Sequence, residues 1–323
     1  MRPRSTVARA LWSAALIAIA VPVAAASAEP PLRDVGPMST DFASGGSQVI
    51  ADRRRVAYLP VAGRVRVIDE NLTEAASVVE PGCAWRSFGG GALLWGCPPA
   101  PPAAGFPGDA VAFPVDELDG GSRTVLGPPR VSLGGHGELP SWWEVGRHWM
   151  TIYYDNSPDV HAYVNRVTGE VDYGKDERSN ASRHVRLVTD TDQDDLTRRV
   201  CAPLAPALVG DFPTTVAPLV YRSPYGATLV GTRLLMTRCG ARRLSVLSRC
   251  PRSCSKPVIG DRFVAWTEGT SVTRRTVYVR LADRGRTWRW RVDAPPSRHP
   301  VAAVGRRLFV VGQGTLRTVR LPA

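Results

Sequence analysis

One short phrase recurs along this chain, and its recurrence restricts the fold more than any single residue does. It runs as a hydrophobic pair, a turn centred on Gly with a basic or polar residue, and four or five mostly apolar residues. Copies are V-I-A-D-R-R-R-V-A-Y-L from Val49, S-F-G-G-G-A-L-L-W from Ser87 and V-G-R-H-W-M-T-I-Y-Y from Val145, then V-G-T-R-L-L-M from Val230, I-G-D-R-F-V-A-W from Ile259 and V-G-R-R-L-F-V-V from Val304. Most are followed by a second strand-like run, such as R-V-R-V-I-D from Arg64 and T-V-Y-V-R-L from Thr276. A strand-turn-strand unit repeated in this way predicts an all-β radial or solenoid architecture, in which each unit buries its apolar faces against its neighbours.

The clearest unit runs from Pro257 to Val292 and reads as four strands, P-V-I-G, R-F-V-A-W-T, T-V-Y-V-R-L and W-R-W-R-V. In the last of these Trp288, Trp290 and Val292 share one face, and Arg289 and Arg291 the other, the alternation of a half-buried outer strand. Four-stranded units of this kind predict a β-propeller, a single domain over residues 29–323. The anchors are unevenly spaced: between Val145 and Val230 the gap doubles, and it holds two strand-like runs, H-V-R-L-V-T-D from His184 and R-V-C-A-P-L from Arg199. A degenerate blade there gives seven blades; six with a long insertion is the alternative. The last repeat stops one strand short, and a segment near residues 36–43 is the expected source of the missing strand. Closing the ring removes exposed sheet edges.

The N-terminus has the form of an export signal. Arg2, Arg4 and Arg9 precede an apolar run, Ala10–Ala20, too short to cross a bilayer, and Ala26-Ser27-Ala28 is a small-x-small cleavage site. Cleavage is expected after Ala28, giving a secreted, extracellular or periplasmic chain with residues 1–28 as signal peptide and no integral membrane span after it. The six cysteines all follow that site, and an even number in an exported chain reads as disulfides. The preferred pairing is Cys83–Cys97 and Cys250–Cys254, which leaves Cys201–Cys239. Net charge is +12, carried almost wholly by arginine. It favours anionic partners; export excludes nucleic acid as the natural one and points to an acidic polysaccharide, a phosphate-bearing wall polymer or an envelope protein.

Few motifs carry chemistry. The acidic run D-T-D-Q-D-D places Asp190, Asp192 and Asp194 at the one, three and five spacing that suits Ca²⁺, but Asp195 stands where such loops need Gly and Cys201 where they need Glu. Ca²⁺ is therefore the one cofactor considered, against an acidic solvated turn. The five histidines show no ligand spacing, and no nucleophile elbow, phosphate loop or zinc-helix pattern occurs. Trp142, Trp143, Trp149, Tyr153 and Tyr154 cluster in sequence, as core residues or as a sugar-stacking platform. The turn D-R-G-R-T-W from Asp283 resembles the Asp-box of sialidase-type propellers, with Asp283, Gly285, Thr287 and Trp288 matching and Leu281 in place of the leading Ser or Thr. That resemblance implies a folding device between third and fourth strands and brings no catalytic residue with it. The repeats also loosely resemble WD-type and Tol-type propellers, in architecture alone.

In a propeller, the links from strand four to strand one and from strand two to strand three open on one face. The sequence reading puts Arg242, Arg243, Arg252, Lys256, Arg274, Arg275 and Arg298 in such links, forming a basic crescent for an anionic ligand. The expectation is an exported binding or scaffold module without enzymatic activity. The alternative is a glycan-acting hydrolase or lyase with its site in the central channel.

Overall fold

The computed structural model describes residues 29–322 apart from 42–45, 53, 98–112, 127–131, 134–135, 138–139, 146–148, 155–156, 167–170, 174–219, 223–224, 231, 239–244, 251–253, 270–272, 283–284, 296 and 298. Every regular element among them is a β-strand. The chain opens with β1 (Arg33–Pro37). The first blade is β2 (Val49–Ala51), β3 (Arg55–Val61), β4 (Arg64–Asp69) and β5 (Glu74–Val79). The second is β6 (Ala84–Gly89), β7 (Ala92–Gly96), β8 (Phe113–Glu117) and β9 (Arg123–Leu126), followed by a small hairpin of β10 (Ser132–Leu133) and β11 (His136–Gly137). The third is β12 (Pro140–Val145), β13 (Trp149–Tyr154), β14 (Ser157–Asn165) and β15 (Val171–Tyr173). The fourth is β16 (Val220–Arg222), β17 (Tyr225–Val230), β18 (Arg233–Arg238) and β19 (Ser245–Arg249). The fifth is β20 (Val258–Gly260), β21 (Phe263–Gly269), β22 (Arg274–Leu281) and β23 (Thr287–Asp293). The sixth is β24 (Val301–Val304), β25 (Arg307–Val311) and β26 (Thr315–Arg320), completed by β1.

This is a β-propeller. The described residues form six antiparallel four-stranded sheets, five in simple strand order and the sixth completed by the N-terminal β1 beside β26. The first strand of each sheet is innermost: β24 lies beside β2, β2 beside β6, β6 beside β12, β16 beside β20 and β20 beside β24. The run from His184 read as a seventh blade lies outside the described residues. Ring closure uses the N-terminal strand as expected, at Arg33–Pro37 rather than the slightly later segment read from sequence. β1 pairs antiparallel with β26, Arg33 opposite Thr318 and Asp34 opposite Arg317. Just before it, Glu29 Oε1 accepts from the Arg289 amide (3.1 Å) and the Pro30 carbonyl from Trp290 Nε1 (3.0 Å), so residues directly after the expected cleavage site cover the edge of β23.

The cores lie between blades. Phe263, Val279, Trp288, Trp290, Leu308, Val310 and Val319 join the fifth to the sixth; Val56, Tyr58, Phe309, Val311 and Leu316 join the sixth to the first. Ala57, Leu59 and Val65 meet Trp85, Phe88, Leu93 and Trp95 of the second blade. Successive residues of β3 thus serve opposite cores, which is why second strands read as unbroken apolar runs rather than alternating ones. β23 alternates as its sequence predicts, with Trp288, Trp290 and Val292 buried and Arg289 and Arg291 exposed.

Five of the recurring phrases are the hairpin between first and second strands. In the second blade Gly90 and Gly91 take φ of 54° and 78° between the paired residues Gly89 and Ala92, a two-residue turn with both central residues left-handed, which only glycine enters freely. The phrase at Val230 differs: it is the turn between β17 and β18, the second and third strands of its blade. No helix among the described residues is long and apolar enough to cross a membrane.

Candidate anion-binding face

Because the strands alternate in direction, links between first and second strands and between third and fourth open on one face, and the remaining links on the other. The described part of the expected crescent is Lys256, Arg274 and Arg275, with Arg242, Arg243, Arg252 and Arg298 outside the described residues. One correction follows from the sheet order of the fourth blade. Arg238 ends β18 and Ser245 begins β19, its third and fourth strands. The stretch carrying Arg242 and Arg243 is thus a third-to-fourth link, not a link of the crescent's face. The cause is the displaced phrase at Val230, which moves the strand count of this blade by one.

Both described arginines of the crescent are engaged. Arg274, highly exposed, pairs with Asp293 across the β22–β23 ladder (3.5 Å). Arg275 is half-buried, and its Nη1 donates to the Ser297 carbonyl (3.3 Å). Burial pushes its pKa down, against the charged form. Arg275 therefore holds the link from the fifth to the sixth blade in place. Lys256 follows Cys254 and Ser255, whose hydroxyl donates to the Lys256 carbonyl (3.2 Å) and accepts from the Thr267 amide (2.9 Å).

Two disulfides fix links of this same face. Cys83–Cys97 ties the entry of β6 to the exit of β7, and Cys250–Cys254 closes a short loop entering the fifth blade; both are the pairs expected from sequence. Cys201 and Cys239 lie outside the described residues. Each bridge has a carboxylate beside it, Glu80 in one case and Glu268 in the other, within 4.8 Å. Disulfide sulfurs carry no thiolate, so neither group is a metal centre as it stands. Asp190, Asp192 and Asp194 are outside the described residues.

Glu268 is part of a polar knot. Its Oε1 accepts from Trp266 Nε1 and from the Ser248 hydroxyl of the fourth blade, each at 3.1 Å. Trp266 stacks on Tyr278 with centroids 5.4 Å apart. Burial first, then the Glu268 charge, push the Tyr278 phenol upward. The Asp-box-like turn sits between β22 and β23, where the resemblance puts it. Gly285 takes φ 62°, Trp288 is buried between blades, and Arg286 lies over its ring at 5.0 Å. Asp283 is outside the described residues. Of the aromatic cluster, Trp142 and Tyr153 are cross-strand partners on β12 and β13.

The opposite face carries contacts that sequence reasoning missed, because each joins residues distant in the chain. Arg55, leading into β3, donates to Asp119 of the second blade (2.7 Å). Arg166, after β14, bonds Glu117 and the Gly90 carbonyl of the second blade. Glu70, after β4, accepts the Arg306 amide (3.2 Å) through Oε1, and its carbonyl accepts Arg307 Nε (2.6 Å) of the sixth. In each case a third-to-fourth link latches onto the neighbouring blade.

No family model matches the sequence, and no curated protein matches it significantly. Among solved structures it is similar to TolB from Acinetobacter baumannii, at 8% identity and a TM-score of 0.39, covering 78% of this chain and 55% of that one. A putative TolB from Agrobacterium tumefaciens gives 8% identity and 0.41, covering 86% and 90%. PorZ, a surface component of the type-IX secretion system of Porphyromonas gingivalis, gives 11% and 0.37, covering 85% and 37%. The chain thus spans about half the length of the Acinetobacter protein. These likenesses are too distant to carry a functional argument, and the propeller assignment stands on the chain's own strand pairing and ring closure.

Proposed function

We propose that this chain is an exported, non-enzymatic propeller that binds an anionic polymer of the cell envelope through the face formed by its fourth-to-first and second-to-third links. One observation carries the reading: both disulfides brace links of the face that bears Lys256, Arg274 and Arg275. Arg252 lies within the span of Cys250–Cys254, and Arg298 belongs to the chain between β23 and β24. Braced loops lose less conformational entropy when they engage a ligand, and clustered cations attract polyanions in a salt-dependent way. The mature chain starts at Glu29 in this reading, and the disulfides fit the oxidising compartment beyond the membrane.

The test is binding of the mature protein to an array of glycans and wall polymers, with and without Ca²⁺, at two salt concentrations. Salt-weakened binding to anionic polymers without turnover supports the reading, and joint reversal of Arg252, Lys256 and Arg298 to Glu abolishes it. Cleaved product would overturn it in favour of a hydrolase. Silence on every polymer would transfer the role to an envelope protein partner. A Ca²⁺ requirement would bring Asp190, Asp192 and Asp194 into the site.

A further inference from the structure

On the opposite face, where the sixth blade meets the first, arginine faces arginine. Arg307 at the start of β25 pairs directly across the sheet with Arg320 at the end of β26. Arg33 of the closing strand stands opposite Thr318, two residues before Arg320. Side chains two apart on a strand, and those directly opposite, share a face, so Arg33, Arg307 and Arg320 project from the same side of the sheet. That side also carries Phe309 and Leu316, which pack toward the first blade. Like charges directly opposed on a sheet destabilise it.

Several other cross-strand arginines of the described residues meet an acid instead, although Arg233 also stands opposite Arg249 in the fourth blade. Arg317, on the other side of β26, meets Asp34 (3.1 Å); Arg66 meets Glu74; Arg274 meets Asp293. Arg33 and Arg320 are exposed and have no carboxylate partner among the described residues. The two acids nearby, Asp69 and Glu70 of the first blade, have other bonds. Asp69 Oδ1 accepts the amides of Asn71 (2.8 Å) and Thr73 (2.9 Å), capping its own turn. Glu70 Oε1 accepts the Arg306 amide. Arg307 Nε donates to the Glu70 carbonyl, which anchors that guanidinium at its stem and leaves its two terminal nitrogens as a fork. Burial, then the charge of Arg320, push the Arg307 pKa down; Arg33 acts in the same sense, and Glu70 and Asp69 oppose it.

We infer that Arg33, Arg307 and Arg320 form a phosphate-binding site at the seam where the ring closes. Three guanidinium groups gathered on one side with one already anchored suit a tetrahedral oxyanion, which accepts paired N–H bonds from planar forks. The bound anion would relieve the like-charge opposition and link β1, β25 and β26. The site is on the opposite face from the polymer-binding face proposed above and does not depend on it.

The test is the thermal midpoint of the mature protein in inorganic pyrophosphate, against sodium chloride of equal ionic strength. A midpoint that rises with pyrophosphate beyond the chloride control supports the site. Arg33→Gln with Arg320→Gln should weaken pyrophosphate binding on the order of tenfold to a hundredfold. The same variant should raise the midpoint of the anion-free protein, because it removes a repulsion; a purely structural role for these arginines would lower it. No rise in the wild type, a rise matched by chloride, or a rise retained in the double variant would each overturn the inference. Poly(glycerol phosphate) at equal phosphate content separates two sources of the anion: equal affinity per phosphate marks a free ion, and tighter binding a polymer. Because Arg252, Lys256 and Arg298 are untouched in this variant, the polymer-array result for the other face stands or falls separately.

Discussion

Gly305 gives the most direct check on how neighbouring blades are latched. It turns the chain from β24 to β25 at φ 57°, and a Cβ added there would land on the Glu70 carboxylate of the first blade. Gly314, at φ 71° between β25 and β26, has the same backbone strain but nothing within 4 Å of the added carbon. Placing Ala in the left-handed region costs about 1–2 kcal/mol, partly offset by a stiffer unfolded chain. Gly314→Ala should therefore destabilise by about 1 kcal/mol. Gly305→Ala carries that cost and also displaces the end of a flexible side chain. Glu70 can swing aside, so the added penalty is the loss of its charged hydrogen bond to the Arg306 amide, about 2 kcal/mol. The expected total is about 3 kcal/mol. Equilibrium urea unfolding followed by tryptophan fluorescence measures each value. The decisive comparison is a double-mutant cycle. In a Glu70→Ala background, Gly305→Ala should fall to about 1 kcal/mol, a coupling of about 2 kcal/mol. Additivity within about 0.5 kcal/mol would refute the latch.

Arg166→Ala should cost about 2–3 kcal/mol, because its side chain is only 2% exposed while Glu117, left unpaired, is 32% exposed and partly solvated. Arg55→Ala, whose partner Asp119 is 78% exposed, should cost under about 1 kcal/mol in the same unfolding assay. Replacing Cys83 and Cys97 by Ala, which opens a loop with a separation of 14 residues, should cost about 3 kcal/mol. Replacing Cys250 and Cys254, with a separation of 4, should cost about 2 kcal/mol, both read from urea midpoints. The hydrogen bond from Arg123 holds the Glu80 carboxyl below its ordinary 4.5. A depressed carboxyl pKa stabilises the fold above the unfolded value and loses that contribution as pH falls through the folded one. Stability measured from pH 7 down to 3 should show wild type above Arg123→Gln by a constant margin near neutrality, narrowing below pH 4.5.

Much of the architecture was legible because it is written at short range. The alternation of Trp288, Trp290 and Val292 with Arg289 and Arg291 follows from a period of two, and burial respects it. Cys83 and Cys97 flank one tight hairpin, so their pairing follows from the turn between them. The closing strand was harder to place: R-D-V-G-P is half-exposed, without clean alternation, and interrupted by a bulge between Asp34 and Gly36. The phrase at Val230 announces a tight turn truly but not its rank in the blade. A turn is set by local φ preferences; rank is set by which strands lie on either side.

By itself, then, the sequence determined the all-β repeat, the hairpin turns, the parity of the outer strands and the two short disulfides, because each depends on residues within one strand pair. Only the tertiary structure decided which arginines are spent in ion pairs, which link belongs to which face, and that Arg307 confronts Arg320 with Arg33 beside them. Those facts depend on strand register and on blades packing side by side. Residues more than 200 positions apart, such as Glu70 and Arg306 with a separation of 236, meet only when the ring closes.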